Sequence, residues 1–181
     1  IAKFHMDNNL VRALMGPIGS GKSVGCCWEI MLKAMAQKPY NGTRYSRWTI
    51  IRNTYRELID TTMETWFDWF PESMGVMHRM DMKFNINTPL ADGTKLDLEI
   101  LFRALDRPDD IKKLLSLELT GGWLNEAREI PKPVLDMLIG RLGRYPSQRL
   151  GGPSWYGCIM DTNPPDEDHW WYKLFEENCP E

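Results

Sequence analysis

No apolar run in this 181-residue chain approaches the length of a membrane span, and no leader of the secretory kind opens it. A membrane partner is therefore not expected. Cysteine is scarce. Cys26, Cys27, Cys158 and Cys179 make no C-x-x-C pair and no metal-ligand spacing. That pattern excludes a disulfide framework and a zinc module, and leaves reduced thiols in a cytoplasmic compartment. Cys26 and Cys27 read as small apolar packing residues. There is no surplus of positive charge: 22 Lys and Arg face 25 Asp and Glu, a net charge of −3. A global basic field is excluded, so contact with nucleic acid would need a local patch. Repeats and low-complexity stretches are missing as well. What remains, 43% hydrophobic and 26% charged, is ordinary soluble composition in a length that suits one domain. The chain opens on Ile1 rather than Met and stops just after a helical pattern, as expected of a domain excerpted from a longer protein.

One stretch dominates what is present. Gly16 to Ser23 reads GPIGSGKS and meets G-x-x-x-x-G-K-[ST] in full at Gly16, Gly21, Lys22 and Ser23. The run Leu10-Val11-Arg12-Ala13-Leu14-Met15 before it is strand-like. The pattern after it is helical over Gly21 to about Gln37, with Trp28, Met31, Leu32 and Met35 on one face. Strand, glycine loop and helix are the context this motif needs. Glycines let successive backbone N–H groups turn around a phosphate chain, and the helix N-terminus adds favourable partial charge. Lys22 would sit on the β- and γ-phosphates and the Ser23 hydroxyl would bind Mg²⁺; Pro17, Ile18, Gly19 and Ser20 complete a tight ATP-binding loop.

Further along, Phe4 or His5 would either touch adenine or simply pack, and packing is the better expectation. Asn41 to Arg47 reads as a polar connection and Trp48-Thr49-Ile50-Ile51-Arg52 as the second strand. A long helix follows with Tyr55, Leu58, Ile59, Thr62, Trp66 and Trp69 on one stripe, stopped by Pro71. Trp66, Phe67, Trp69 and Phe70 are expected in the core. Lys83 to Asn87 and Lys95 to Phe102 flank Ala91-Asp92-Gly93-Thr94, a hairpin signal. Arg107-Pro108-Asp109-Asp110 opens a helix, Leu117 to Glu126 is strand-like, and Pro131 and Pro133 open a helix running to Leu142. Gly143 to Pro153 is loop, Trp155 to Met160 a last strand, and Asp168 to Glu177 a last helix. This alternation predicts an α/β fold with a mostly parallel central sheet, helices on both faces and an inserted β-hairpin. Ligands of such sheets bind at the carboxyl ends of the strands.

Three segments bring polar groups to that edge: the glycine loop, Asn125-Glu126 and Asp161-Thr162-Asn163. Glu126, following an apolar strand, suits the polarising of an attacking water. Asn125 stands where many P-loop ATPases carry an aspartate that steadies Mg²⁺ through water; it can hold a metal-bound water but brings no charge. Asn163 is a candidate sensor of the γ-phosphate or the water, with Asp161 and Thr162 as near alternatives and a local Asn-Pro turn as the plainer reading. Arg103, Arg107, Arg141 and Arg144 could each enter a neighbour's site as an arginine finger, or serve as surface ion pairs.

The phrases GPIGSGKS, Arg52-Asn53-Thr54-Tyr55-Arg56-Glu57-Leu58, Leu101-Phe102-Arg103-Ala104-Leu105-Asp106-Arg107-Pro108, Trp123-Leu124-Asn125-Glu126-Ala127, Arg141-Leu142-Gly143-Arg144 and Asp161-Thr162-Asn163-Pro164-Pro165 occur in this order. The series, covering nearly the whole chain, resembles the ATPase domain of the large terminase subunit of tailed bacteriophages. The resemblance implies a P-loop NTPase fold of the ASCE type over residues 1–181, with the Asn163 strand between the P-loop strand and the Glu126 strand. It implies Walker A roles for Lys22 and Ser23, catalysis by Glu126, a coupling role for Asn163, and a trans-acting finger at Arg103 or Arg107. It further implies ATP and Mg²⁺ as cofactors, and double-stranded DNA, a portal protein and a small terminase subunit as partners. Assembly would be a homo-oligomeric ring at the procapsid portal vertex in the host cytoplasm. Large terminases usually continue into a nuclease domain, for which the stretch after Asn163 has no room. The rival readings are a kinase of a small molecule or nucleotide, and an ATP-bound scaffold with little hydrolysis. A GTPase is disfavoured because no N-K-x-D guanine motif is present.

Overall fold

The computed structural model describes residues 1–177. Its seven-stranded sheet has the order β1-β7-β6-β2-β5-β4-β3. The strands are β1 Val11–Met15, β2 Thr43–Arg52, β3 Gly75–His78, β4 Lys83–Pro89, β5 Lys95–Ala104, β6 Gly121–Leu124 and β7 Gly157–Thr162. Those from β1 to β5 in the sheet order pair in parallel, whereas β4 and β3 extend the β5 edge antiparallel. The fold is the expected α/β architecture, and β7 lies between the P-loop strand and the strand that leads to Glu126.

Strand alternation divides the interior into two cores. On one face Trp48, Ile50, Trp123 and Ile159 pack with Cys26, Cys27 and Ile30 of the helix Lys22–Met35. On the other, Ile51, Leu124, Cys158 and Met160 pack with Val134, Leu135 and Leu138 of the helix Lys132–Ile139. The short β6 starts at Gly121 rather than Leu117, and a strand side chain and a helix side chain press on its first two residues. A Cβ at Gly121 would lie 2.5 Å from the Trp48 ring, and one at Gly122 2.6 Å from Leu138. Only bare backbone lets this strand sit between both cores.

Several sequence expectations change. The P-loop helix buries Cys26, Cys27, Ile30, Met31 and Ala34, so Trp28 and Leu32 face outward, with Trp28 edge-on to Trp69 and Phe70. β2 takes in most of the expected polar connection, since β5 offers a ten-residue parallel ladder from Thr43↔Lys95 to Arg52↔Ala104. Its polar side chains find partners there: Arg47 Nε donates to Glu99 Oε1 and Arg44 Nη2 to Asp92 Oδ2. The long helix is interrupted. Tyr55–Glu57 runs into a π-helical stretch, Leu58–Met63, before Glu64–Trp69 resumes as α-helix. Each π hydrogen bond spans one more residue than an α one, which widens the turn and rotates the stripe. Leu58, Thr62 and Trp66 stay buried, while Tyr55, Ile59 and Trp69 turn outward. The loop before Lys83 holds β3, which was not anticipated. β7 is shifted to begin at Gly157, leaving Trp155 outside the strand. The helix Lys132–Ile139 stops before Leu142, and the last helical segment is Trp170–Tyr172 continuing into a π-helical Lys173–Glu177. Phe4 is core, and His5 Nδ1 lies 2.5 Å from Glu29 Oε2. Cys26, Cys27 and Cys158 are buried free thiols; Cys179 lies outside the described residues.

Candidate nucleotide site

Parallel register brings three loops to one edge. Met15 is level with Thr162, and Leu124 with Met160, so the residues following β1, β6 and β7 emerge side by side. The glycine loop is tied to this edge by Gly16 N–H, which donates to Thr162 O at 3.3 Å. Gly19 and Gly21 take φ of +77° and +78°, a region closed to most side chains, and the turn delivers Lys22 as the first helical residue. Lys22 Nζ donates to Pro17 O at 2.9 Å and to Asn163 Oδ1 at 3.1 Å. The ammonium is thereby folded back over the loop it belongs to.

Glu126 follows β6 with φ 51° and ψ 57°. This left-handed conformation costs a non-glycine residue roughly 1–2 kcal/mol, and it turns the carboxylate toward the neighbouring strand end. There the carboxylate accepts from Asn163 N at 3.4 Å and from Asn163 Nδ2 at 3.3 Å. Lys22, Asn163 and Glu126 thus form one continuous chain of polar contacts. Burial pushes the Glu126 carboxyl above its ordinary value, as does the charge of Asp161; the Asn163 N–H, Arg52 and Lys22 pull the other way. Ile18, Gly19, Ser20, Gly21, Lys22, Ser23, Val24, Thr65, Glu126 and Asn163 line a cleft of about 350 Å³.

Behind the loop lies a second polar group that the sequence reading placed differently. Asp161 is fully buried. Its Oδ2 accepts from Ser23 Oγ at 2.7 Å, and its Oδ1 accepts from Trp123 Nε1 at 2.8 Å. Asn125 Nδ2 donates to both carboxylate oxygens, at 3.0 and 3.2 Å, and the Asn125 Oδ1 accepts from Thr62 Oγ1 at 2.6 Å. Asn125 therefore turns a donor toward Ser23, 3.5 Å away, and its acceptor away from it. That orientation does not match an amide oxygen reserved for a metal-bound water. The signal for Asp161 was an acid closing the apolar run Cys158-Ile159-Met160. Thr62 gave no signal beyond its place in a helical stripe. Serine hydroxyl and aspartate carboxylate are hard oxygen donors of the kind Mg²⁺ takes, so the donor set fits that ion.

Arg103 and Arg107 are not brought to this cleft. They lie at and beyond the end of β5, separated from β6 by β2 in the sheet. Arg103 Nη1 is held by the carbonyls of Asp81, Met82 and Phe102, and burial pulls its guanidinium below its ordinary value. Arg107 is exposed, and its backbone N–H donates to Asp110 Oδ2 at 3.0 Å. Both line a different cleft, of about 520 Å³, with Tyr55, Phe102 and Lys113.

Comparison with known proteins is consistent with this geometry. A family described as phage terminase large subunit matches residues 8–180. No curated protein matches the chain significantly. Among solved structures, a large terminase from a thermophilic bacteriophage superposes with a TM-score of 0.69 at 15% identity, over 96% of this chain and 40% of that one. That terminase has also been solved with ADP and with ATP-γ-S. The large terminase ATPase domain of Thermus phage P74-26 gives 0.61 at 22% identity, over 96% of this chain and 67% of that one. The packaging motor assembly of bacteriophage Phi-29 gives 0.58 at 15% identity, over 99% of this chain and 50% of that one. At these identities the likeness concerns the fold, and the chain spans less than half the length of the first of these terminases.

Proposed function

The chain belongs to the phage terminase large subunit family, and we propose that it is the ATP-hydrolysing motor domain that drives double-stranded DNA into a procapsid. The carrying observation is the contact chain from Lys22 through Asn163 to Glu126, which links a phosphate-facing ammonium to a water-facing carboxylate. Backbone N–H groups from Gly19 to Ser23 cradle the phosphates, with Gly16, Pro17 and Ile18 shaping the loop. Lys22 places its charge against the β- and γ-phosphates. Glu126, half-buried and raised in basicity, orients and deprotonates the attacking water. Asn163 touches both Lys22 and Glu126, so its amide registers the γ-phosphate and passes its loss to the Pro164-Pro165 turn. Mg²⁺ bound with the nucleotide would neutralise phosphate charge, held by Ser23 Oγ and the neighbouring Asp161 carboxylate, against which Asn125 turns its amide N–H. A finger from a neighbouring subunit, Arg103 or Arg107, completes the site in a ring. Arg107 is the better placed because it is exposed and Arg103 is held by three carbonyls. The ring works on a portal protein with a small terminase subunit, at the procapsid vertex in the host cytoplasm.

Lys22→Ala tests this reading. Deleting the ammonium removes both turnover and most nucleotide affinity, measured by phosphate release and by titration with a fluorescent ADP analogue. Turnover at the parent rate would refute it.

A further inference from the structure

We propose that the negative charge of the metal–nucleotide site comes from Asp161 on β7, one strand away from the customary position on β6, and that Asn125 is a positioning residue for it. The inference rests on the ATP-hydrolysing reading above.

Three observations carry it. First, register makes the exchange geometrically neutral. Leu124 pairs with Met160, so Asn125 and Asp161 stand level on adjacent parallel strands. Their side chains are in contact, and both reach Ser23, at 3.5 Å from Asn125 and 2.7 Å from Asp161. A carboxylate moved sideways by one strand still lies against the same hydroxyl.

Second, the hydrogen bonds assign the two roles differently. The Ser23 hydroxyl has one proton, and it is spent on Asp161 Oδ2. Of its two lone pairs, one faces the distant Asn125 Nδ2 at 3.5 Å and the other is left for a cation. Asn125 has its acceptor on Thr62 and its donor on the carboxylate, so it steers Asp161 and offers no oxygen to the cleft. Trp123 Nε1 fixes the second carboxylate oxygen from the core side.

Third, the charge balance is unfinished. Asp161 has zero exposure, yet its partners here are neutral donors, and it forms no ion pair among the described residues. A buried carboxylate is stabilised by a paired cation or a metal, and neutral hydrogen bonds meet only part of its desolvation cost. The described residues hold no group of three or more His, Cys, Asp or Glu able to bind a metal alone. A single carboxylate plus a hydroxyl is instead the protein share of a Mg²⁺ shell in which phosphates provide the rest. Metal and nucleotide should therefore bind together.

The test measures affinity for a fluorescent ADP analogue in EDTA and in Mg²⁺, with folding followed by circular dichroism. In the parent, Mg²⁺ tightens binding. Asp161→Asn should keep the metal-free affinity and lose about 10–100-fold of the Mg²⁺-dependent gain. The exchanged pair Asn125→Asp with Asp161→Asn preserves one carboxylate and one amide in contact, and serves if the single variant does not fold; the Mg²⁺ gain should then persist. An intact Mg²⁺ gain in folded Asp161→Asn would overturn the proposal, as would loss of metal-free affinity in that variant. A folded exchanged pair without Mg²⁺ gain, where the single variant fails to fold, would overturn it too. If neither variant folds, Asp161 is a structural anchor and the proposal falls. Failure of the underlying reading looks different: Lys22→Ala would then retain metal-free nucleotide affinity, whatever Asp161 does.

Discussion

The carboxyl ends of β1, β7 and β6 and the carboxyl end of β5 belong to one sheet, yet they are built differently. At the first, every polar side chain is tied to the next: Lys22 to Asn163, Asn163 to Glu126, Ser23 to Asp161, Asp161 to Asn125 and Asn125 to Thr62. At the second, the two arginines expected to act in catalysis are separate from that network, one tethered to carbonyls and one exposed. On the proposed reading, the difference means that one chain preorganises binding and water activation, with Lys22 as the cation lining the cleft, while neither Arg103 nor Arg107 reaches it. The proposed trans finger would make hydrolysis depend on a neighbour.

The largest expected effect breaks that dependence. An arginine finger contributes about 10³–10⁵ in rate. Arg107→Ala should lower turnover by that order in assembled protein while leaving nucleotide affinity unchanged, because the finger acts on the transition state. Mixing Arg107→Ala subunits with Glu126→Gln subunits should recover activity, since some interfaces then join an intact glutamate to an intact arginine. Full activity at concentrations where the chain is monomeric would remove the trans arrangement; Arg103→Ala, run in parallel, identifies the arginine.

Next in size is the glutamate itself. Glu126→Gln keeps shape and the contact with Asn163 N but cannot take a proton, which predicts a loss of about 10²-fold or more in turnover with nucleotide still bound. The same variant has a stability signature. The Glu126 carboxyl is raised above its ordinary value in the fold by burial and by Asp161. The native state therefore holds its proton more tightly than the unfolded chain, and stability is lost as pH rises from the ordinary glutamate value through the raised folded value. Glu126→Gln should unfold at a higher temperature than the parent above that window and show no advantage below it. An equal difference at all pH values would mean that the carboxyl is not perturbed.

Much of this was readable beforehand, and the reasons differ by residue. The glycine loop is legible because Gly19 and Gly21 need positive φ and Lys22 and Ser23 must follow them, so chemistry and local geometry coincide in eight consecutive positions. The hairpin was visible in Asp92-Gly93, where Gly93 takes φ +82°. Glu126 was legible from its place after an apolar strand, but its left-handed backbone was not. Asp161 was weighed only as an alternative to Asn163: the resemblance implied the strand order that sets β7 beside β6, but not that the Asp161, Asn125 and Ser23 side chains meet there. The outward turn of Trp28, Ile59 and Trp69 was missed for a related reason: a stripe read at α-helical period ignores a π-helical insertion and the sheet that selects the buried face.

The smallest effect probes the link between the two regions, because the helix that follows β2 toward the arginine cleft also reaches the nucleotide site. Tyr55 and Leu58 line the arginine cleft, whereas Thr65 lines the nucleotide cleft and Thr62 donates to Asn125. Thr62→Val keeps the shape and removes the donor. The buried Asn125 Oδ1 is then unsatisfied, or the amide turns and sets an oxygen against Asp161; either costs about 1–3 kcal/mol. Urea unfolding should show that loss. Thr65→Val, whose hydroxyl only returns to the Thr61 carbonyl, should change stability by less than about 0.5 kcal/mol. If the two variants unfold alike, the Thr62–Asn125 contact carries no weight and the π-helical stretch does not couple the two ends of the sheet. A selective loss at Thr62, with weaker Mg²⁺ dependence of nucleotide binding, would make that helix the physical connection between the neighbour-facing edge and the metal corner.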